Sequence, residues 1–204
     1  EKLKIESKLQ NLVTKAELET LKSQINPHFL FNSLNSISSL TITSPEKAQE
    51  MVIKLSDFLR YSLSHDKNEK TSLEKEFKNL KRYLEIEKIR FGKRLNFIYN
   101  IPESCFKHMI PNMILQPLIE NSIKHGVYNS SDEVQIEISC KEENAYIVIE
   151  ISNDYDPEVK KPKGEGIGLK NIRKRLQLIY RRTDLLETVA EKMVFRAILR
   201  LPKE

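Results

Sequence analysis

The stretch Leu115-Gln116-Pro117-Leu118-Ile119-Glu120-Asn121-Ser122-Ile123-Lys124-His125-Gly126 sets the fold class. Leu115, Leu118, Ile119 and Ser122 recur at helical spacing and make one face suited to lying on a sheet. Asn121, Lys124 and His125, three and four residues apart, share the adjoining face. The pattern predicts a helix over 112–125 that stops at Gly126. On both sides the period changes to two: Leu95, Phe97 and Tyr99 alternate upstream, and Ile136, Ile138 and Cys140 alternate with Gln135, Glu137 and Ser139 downstream. Asn144 marks a hairpin turn, after which Ile147, Ile149 and Ile151 continue the alternation. A loop is expected from Asp154 to about Gly166, then a helix over 168–181 that buries Leu169, Ile172, Leu176 and Ile179, then a strand from Val194 to Leu201.

The first half reads as helix throughout. Residues 1–25 carry Leu9, Leu12 and Ala16, then Leu18, Leu21 and Ile25, an apolar stripe that shifts near Ala16 and calls for a partner helix, most simply in a parallel homodimer. Pro27 interrupts it, and Asn26 can cap a restarted helix whose stripe is Leu30, Phe31, Leu34 and Ile37. Ser44-Pro45-Glu46 has the order cap, N1 proline and first-turn acid, which opens a helix to about His65. Thr71-Ser72-Leu73-Glu74 has capping-box spacing ahead of a helix with Leu73, Phe77, Leu80 and Leu84 on one face, closed by Gly92. The class is therefore α+β, with residues 1–92 as a helical domain and 93–204 as a mixed domain.

Composition narrows the function. The chain has 204 residues, 39% apolar and 31% charged, with a net charge of +5. Its apolar runs are too short to span a membrane, no signal peptide opens it, and a chain starting at Glu1 is expected to be part of a longer protein. Cys105 and Cys140 fit neither a disulfide framework nor a zinc site with His65, His108 or His125. Three of the five glycines, Gly164, Gly166 and Gly168, fall within five residues. Around them, residues 160–182 hold nine basic side chains against Glu165 alone, a net +8 that leaves the rest of the chain at −3. The basicity thus marks one anion site rather than a nucleic-acid surface.

Three segments carry candidate chemistry. Gly164-Glu165-Gly166-Ile167-Gly168-Leu169-Lys170-Asn171 precedes a helix, so its backbone N–H groups and the helix dipole can face phosphates. It lacks the preceding strand of a dinucleotide fold and the Lys-Ser/Thr of a P-loop, which leaves a phosphate lid or an ordinary capped loop. Asn121 offers an amide oxygen to Mg²⁺ and Lys124 a charge one turn on, although the same residues also suit a solvated helix face. His28 is flanked by apolar residues, as a core histidine would be, yet a neutral imidazole is also a competent nucleophile toward phosphorus. Asn32, one turn on, can bond its ring.

Together the segments resemble sensor histidine kinases of the LytS/YehU type. Gln24 to Asn35 resembles the phosphoacceptor box of that family, Tyr83-Leu84-Glu85-Ile86-Glu87-Lys88-Ile89-Arg90-Phe91-Gly92 its next signature, Leu115 to Gly126 its N box, and Gly164 to Leu176 its glycine box with the following Asn-x-x-x-Arg-Leu. The four stand in family order over residues 20–182. The resemblance implies a dimerising, phosphotransferring helical domain ahead of a Bergerat-type (GHKL) α/β sandwich that binds ATP. It implies that ATP phosphorylates His28, with Asn32 beside it, and that the phosphoryl group passes to an Asp of a response regulator, in this family often one with a LytTR-type DNA-binding domain. Asn121 would be the Mg²⁺ ligand; Lys124, His125, Leu169 and Asn171 would line the nucleotide site, with Gly164, Gly166 and Gly168 bracketing the phosphates. The core would be the cytoplasmic portion of an inner-membrane sensor and would make no direct contact with nucleic acid.

Two positions depart from the pattern. The superfamily has Asp-x-Gly-x-Gly after the strand that here ends Ile151-Ser152-Asn153-Asp154-Tyr155. The alternation puts Asn153 where the Asp would accept from the adenine amino group, and Tyr155 where a glycine would stand. That motivates a rival reading, a dimeric pseudokinase scaffold that binds nucleotide weakly. Phe29 follows His28 where many histidine kinases carry an acid, and Glu120 is a candidate base only as the neighbour of Asn121.

Overall fold

A computed structural model of the chain describes residues 26–64, 69–127, 132–154, 167–191 and 193–203. The expected helix over 1–25, Tyr155, and the glycines Gly164 and Gly166 lie outside the described residues. The chain divides into two units, Glu1–Asp66 and Lys67–Glu204.

Among its described residues the first unit is a pair of packed helices, α1 (Pro27–Thr43) and α2 (Pro45–Ser64). Asn26 caps α1: its side-chain oxygen accepts from the backbone N–H of His28 at 3.1 Å and Phe29 at 3.4 Å. Pro27 sits at N1, where its missing N–H costs nothing. Ser44 ends α1 and its N–H returns to Leu40 O, so Pro45 can start α2 at once. Along α2, Ala48, Met51, Leu55 and Phe58 form the buried stripe. The residue of α1 that meets it is Phe29, whose ring stands edge-on to Phe58 with centroids 5.3 Å apart. Phe31 and Leu34, expected on the packed stripe, point away from α2 and are exposed.

The second unit holds a five-stranded sheet with three helices on one face. The sheet strands are β2 (Leu95–Asn100), β4 (Val134–Glu143), β5 (Tyr146–Asp154), β6 (Leu186–Glu191) and β7 (Val194–Pro202), in the order β2-β4-β5-β7-β6. Only β2 and β4 are parallel. A separate short pair, β1 (Lys70–Ser72) with β3 (Met109–Pro111), is antiparallel. The helices are α3 (Leu73–Phe91), α4 (Gln116–His125) and α5 (Ile167–Tyr180). Ile136, Ile138, Ile147, Ile149, Ile151, Ala197, Leu199 and Leu201 form the inner face of the sheet, and Leu84, Leu118, Ile119, Ile123, Ile172 and Leu176 complete the core. The opposite face, with Gln135, Glu137, Glu150, Ser152 and Arg196, is polar, as expected for an antiparallel sheet covered on one side.

Several sequence expectations are adjusted. The boundary falls at Asp66/Lys67 rather than at 92/93, because α3 packs on β2 and on the 3₁₀ turn Glu103–Lys107 and belongs to the sheet unit. Ser72, not Thr71, caps α3: its Oγ accepts from Lys75 N at 3.3 Å, while Thr71 is paired with Ile110 in the small sheet. The helix expected from 112 begins at Gln116, since Met113 adopts φ +55° and breaks the helical path. Gly92 ends α3 with φ +59°, but Gly126 keeps a right-handed φ of −85°. Glycine is needed there for space: a Cβ would lie 2.8 Å from Val134 Cγ1 and 2.9 Å from Ser122 O.

Gly126→Ala is therefore expected to lower stability by about 1–3 kcal/mol, the usual cost of forcing atoms into a packed core. Gly168→Ala, whose added methyl meets nothing within 4 Å of a helical backbone, is expected to hold the thermal midpoint or raise it slightly. Thermal unfolding of the two variants checks the contrast. Equal midpoints would remove the packing explanation for Gly126.

Candidate functional site

His28 lies in the first turn of α1 on an exposed face. The amide nitrogen of Asn32 stands 3.0 Å from its Nε2 and 3.3 Å from its Nδ1. The contact ties the ring to the next turn of the helix and so limits its orientation. The expected pairing of these two residues is present in the structure.

The other candidate residues belong to the second unit. Asn121, half-buried, and Lys124, exposed, share a face of α4, and His125 ends that helix. Gly168 and Leu169 occupy the first turn of α5, which contains no acid to oppose an anion, and Asn171 opens the second. α4 packs against both β5 and α5. The end of α4 also lies against the end of β5, since a Cβ on Gly126 would be 3.4 Å from Asp154 O.

Asn153 sits at that end of β5, opposite Ile136 and on the inner face with Ile147, Ile149 and Ile151. It is 1% exposed. Its Nδ2 donates to Asp154 O at 2.7 Å, which fixes the orientation of the amide. Its Oδ1 is buried and accepts nothing among the described residues. A buried acceptor left unmatched costs on the order of 1–3 kcal/mol, so the arrangement suits a ligand that brings a donor. Asp154 is exposed on the other face, where its Oδ2 accepts from Gln135 N at 2.9 Å. A register that exchanged Asn153 and Asp154 is thereby excluded.

Charged side chains from outside α4 bind the chain at both of its ends. Leu115, at its N-cap, supplies no side-chain cap. The cap comes instead from Glu76 of α3, whose Oε2 accepts from Met113 N at 2.8 Å and Oε1 from Leu115 N at 3.1 Å. Arg175 of α5 donates to Asn112 O at 2.6 Å. At the other end, Arg94 donates to Val127 O at 2.9 Å. Glu87 of α3 pairs with Arg90 at 2.7 Å. Burial, together with the neighbouring charges of Glu87 and Glu120, pushes the Tyr83 phenol well up.

The sequence reading assigned no role to Glu76 or Arg175. A signal for Glu76 was present: it falls at helical spacing within the apolar stripe Leu73, Phe77, Leu80 and Leu84. A carboxylate inside such a stripe must find partners.

Among the described residues, no three His, Cys, Asp or Glu side chains come together as metal ligands. An ion at Asn121 would therefore take its remaining ligands from phosphate and water, as Mg²⁺ commonly does. The residues present fit a nucleotide on three counts: a buried acceptor at Asn153, an amide and a lysine on one face of α4, and a helix start at Gly168.

Burial pushes the Glu76 carboxyl up to about 7, against the pull of its two backbone hydrogen bonds and of Arg175, and burial likewise pushes Glu87 up to about 7 against Arg90. The native state then holds protons that the unfolded chain, with these groups near 4.5, has released. Stability is expected to be highest toward the acid side of this window, to fall as pH rises from about 4.5 to 7, and to level off above it. Glu142, held down at about 2 by Lys203 and His108, titrates below the window. Thermal midpoints between pH 5 and 8 check this. The slope should shrink in Glu76→Gln, whose amide does not titrate; a wild-type midpoint that rises over that range contradicts it.

Comparison with known proteins gives a consistent picture. A family model described as histidine kinase matches residues 16–95. The chain is 37% identical over 181 residues to the sensor histidine kinase YpdA of Escherichia coli, covering 84% of this chain and 32% of that protein. It is 34% identical over 187 residues to the sensor protein LytS of Staphylococcus epidermidis, covering 86% and 32%. It is 34% identical over 166 residues to the sensor histidine kinase BtsS of Escherichia coli, covering 81% and 29%. The chain thus spans about a third of the length of the curated relatives it matches. Among solved structures, the catalytic domain of the histidine kinase ThkA matches with a TM-score of 0.51 at 16% identity, over 66% of this chain and 98% of that one. The histidine kinase AdeS of Acinetobacter baumannii matches with a TM-score of 0.50 at 12% identity, over 94% and 97%. At such identities the structural matches establish the fold, the GHKL sandwich of histidine kinase catalytic domains.

Proposed function

Since the chain belongs to the sensor histidine kinases, we propose that it is a kinase core that phosphorylates its own His28 from Mg-ATP and passes the phosphoryl group to an Asp of a response regulator. The observation that carries the nucleotide half is Asn153, with a buried, oriented amide oxygen that lacks a donor among the described residues. Adenine presents an amino donor where guanine presents a carbonyl, so this oxygen selects adenine. Bound Mg²⁺ neutralises phosphate charge. Asn121 holds it, Lys124 and the first-turn amides of α5, at Gly168 and Leu169, bind the phosphate oxygens, and Asn171 and His125 flank the site. Transfer of this kind depends chiefly on position and charge.

In the transfer, a ring nitrogen of His28 forms the new N–P bond as the γ-phosphorus loses its bond to the bridging oxygen of ADP. Attack uses the lone pair of one ring nitrogen, and the Asn32 contact limits how the ring can turn. The phosphoramidate then loses its phosphoryl group to the regulator carboxylate. The exposed apolar residues Phe31 and Leu34 on α1, with Val52 and Ile53 on α2, suit burial against the same helices of a second copy, which supports a homodimer. The relatives are sensor proteins about three times as long. That supports a core joined to a longer sensor; its place on the cytoplasmic side of a membrane, and a regulator of the LytTR type, are carried over from the family resemblance. No described helix is long and apolar enough to cross a membrane.

Incubation with γ-labelled ATP and Mg²⁺ is expected to give an acid-labile, base-stable label on His28. His28→Gln should lose the label and keep ATP binding. Asn153→Leu, which keeps the volume and removes the acceptor, should weaken ATP about tenfold, the worth of one hydrogen bond of about 1–1.5 kcal/mol, and should narrow the preference for ATP over GTP. Label retained in His28→Gln would end the phosphoacceptor assignment. A wild-type chain that binds no ATP at millimolar concentration would favour the scaffold reading.

A further inference from the structure

The helix after the glycines carries Asn171, Arg175 and Leu176, and the nucleotide reading gives Arg175 no task. The structure places it at the start of another helix. Its Nη2 reaches Asn112 O at 2.6 Å. One residue on, Met113 has φ +55°, a backbone conformation that a side chain of this kind adopts only when its surroundings impose it. What imposes it is the Glu76 carboxylate, 2% exposed, which takes the N–H groups of Met113 and Leu115 on its two oxygens. Arg175 is also the charge that counters Glu76. Three helices therefore meet at four residues of chain: α3 through Glu76, α5 through Arg175, and α4 through the segment Asn112–Leu115 that begins it.

Asn121 lies two turns beyond this junction on α4, and Gly168 lies two turns from Arg175 on α5. Helices transmit a fixed end rigidly over such lengths. We propose that Glu76 and Arg175 are positioning residues that lock the register of α4 against α5, so that the amide of Asn121 and the first-turn amides of α5 are presented to the nucleotide phosphates as one preset surface. Neither residue touches nucleotide; both act through the segment 112–115. The functional part rests on the nucleotide reading above, whereas the mechanical part stands on the hydrogen bonds alone.

Amide hydrogen exchange on the 204-residue chain without nucleotide tests the mechanical part. Arg175→Ala is expected to speed exchange at least tenfold over residues 112–118 while leaving β4 and β5 as in wild type. Arg175→Lys, which keeps the charge beside Glu76 but shortens the reach to Asn112 O, should fall between the two and serves if Arg175→Ala folds poorly. In autophosphorylation, Arg175→Ala should raise KM for Mg-ATP about tenfold, Arg175→Lys should recover part of it, and the double variant Glu76→Gln, Arg175→Ala should be no worse than its more severe single variant, because both act through one segment. Unchanged exchange over 112–118, an unchanged KM, or additive losses in the double variant would overturn the proposal. A wild-type chain that binds no Mg-ATP would overturn the nucleotide reading and with it the functional part, while the exchange comparison would still decide the mechanical one.

Discussion

The capture of two backbone N–H groups by the buried carboxylate of Glu76 is the contact on which the geometry of the second unit turns. α4 begins without a cap of its own, after a residue in the left-handed region. A helix start left buried and unpartnered is costly, because its first N–H groups have no intrahelical acceptor. Glu76 supplies that acceptor from a different helix. The cost moves to the carboxylate, whose burial is offset only in part by the hydrogen bonds and by Arg175. Such a pairing is weak as a source of stability and strong as a source of specificity, since removing either partner leaves the other buried and unmatched.

The rest of the candidate site follows from where α4 is held. Arg94 fixes its far end through Val127, and Gly126 lets it pass against β4 and β5 without a side chain in the way. Asn121 and Lys124 are thereby set on a helix that is held at both ends and packed beside β5, which ends in Asn153. In the proposed reading, Asn153 stands where the resemblance expects an acid. Its amide is committed on one side to Asp154 O, so its oxygen is presented with a defined aim. The replacement exchanges a charged acceptor for a neutral one of the same reach. His28 belongs to the other unit and is exposed on α1, as the proposed phosphoacceptor role requires.

Much of this was legible in the chain. The alternation of Ile147, Ile149 and Ile151 placed Asn153 on the inner face, because a strand has a period of two and allows no intermediate position. Asn26, Pro27, Ser44 and Pro45 marked helix starts by chemistry that acts within four residues. The strands that escaped notice are β1, β3 and β6. The first two are three residues long, and β6 is an edge strand with the mixed sequence Leu186-Glu187-Thr188-Val189-Ala190-Glu191, so none has an apolar rhythm to read. The unit boundary was misplaced because a change of period marks where strands begin, whereas the boundary depends on what α3 packs against. Phe29 was passed over for the same reason: Phe31 and Leu34 make as good a stripe, and only the partner helix decides which face is buried. Glu76 and Arg175 act across 37 and 63 residues of sequence, beyond the reach of any local pattern.

In the proposed reading, α4, β5 and the start of α5 form one adenine-nucleotide site. A crystal structure of the chain with Mg²⁺ and a non-hydrolysable ATP analogue tests it most directly. The adenine amino group should lie within hydrogen-bond distance of Asn153 Oδ1, with Mg²⁺ on Asn121 and Glu76 still bound to Met113 N and Leu115 N. A nucleotide seated elsewhere, or an Asn153 amide turned so that its nitrogen faces the base, would contradict it.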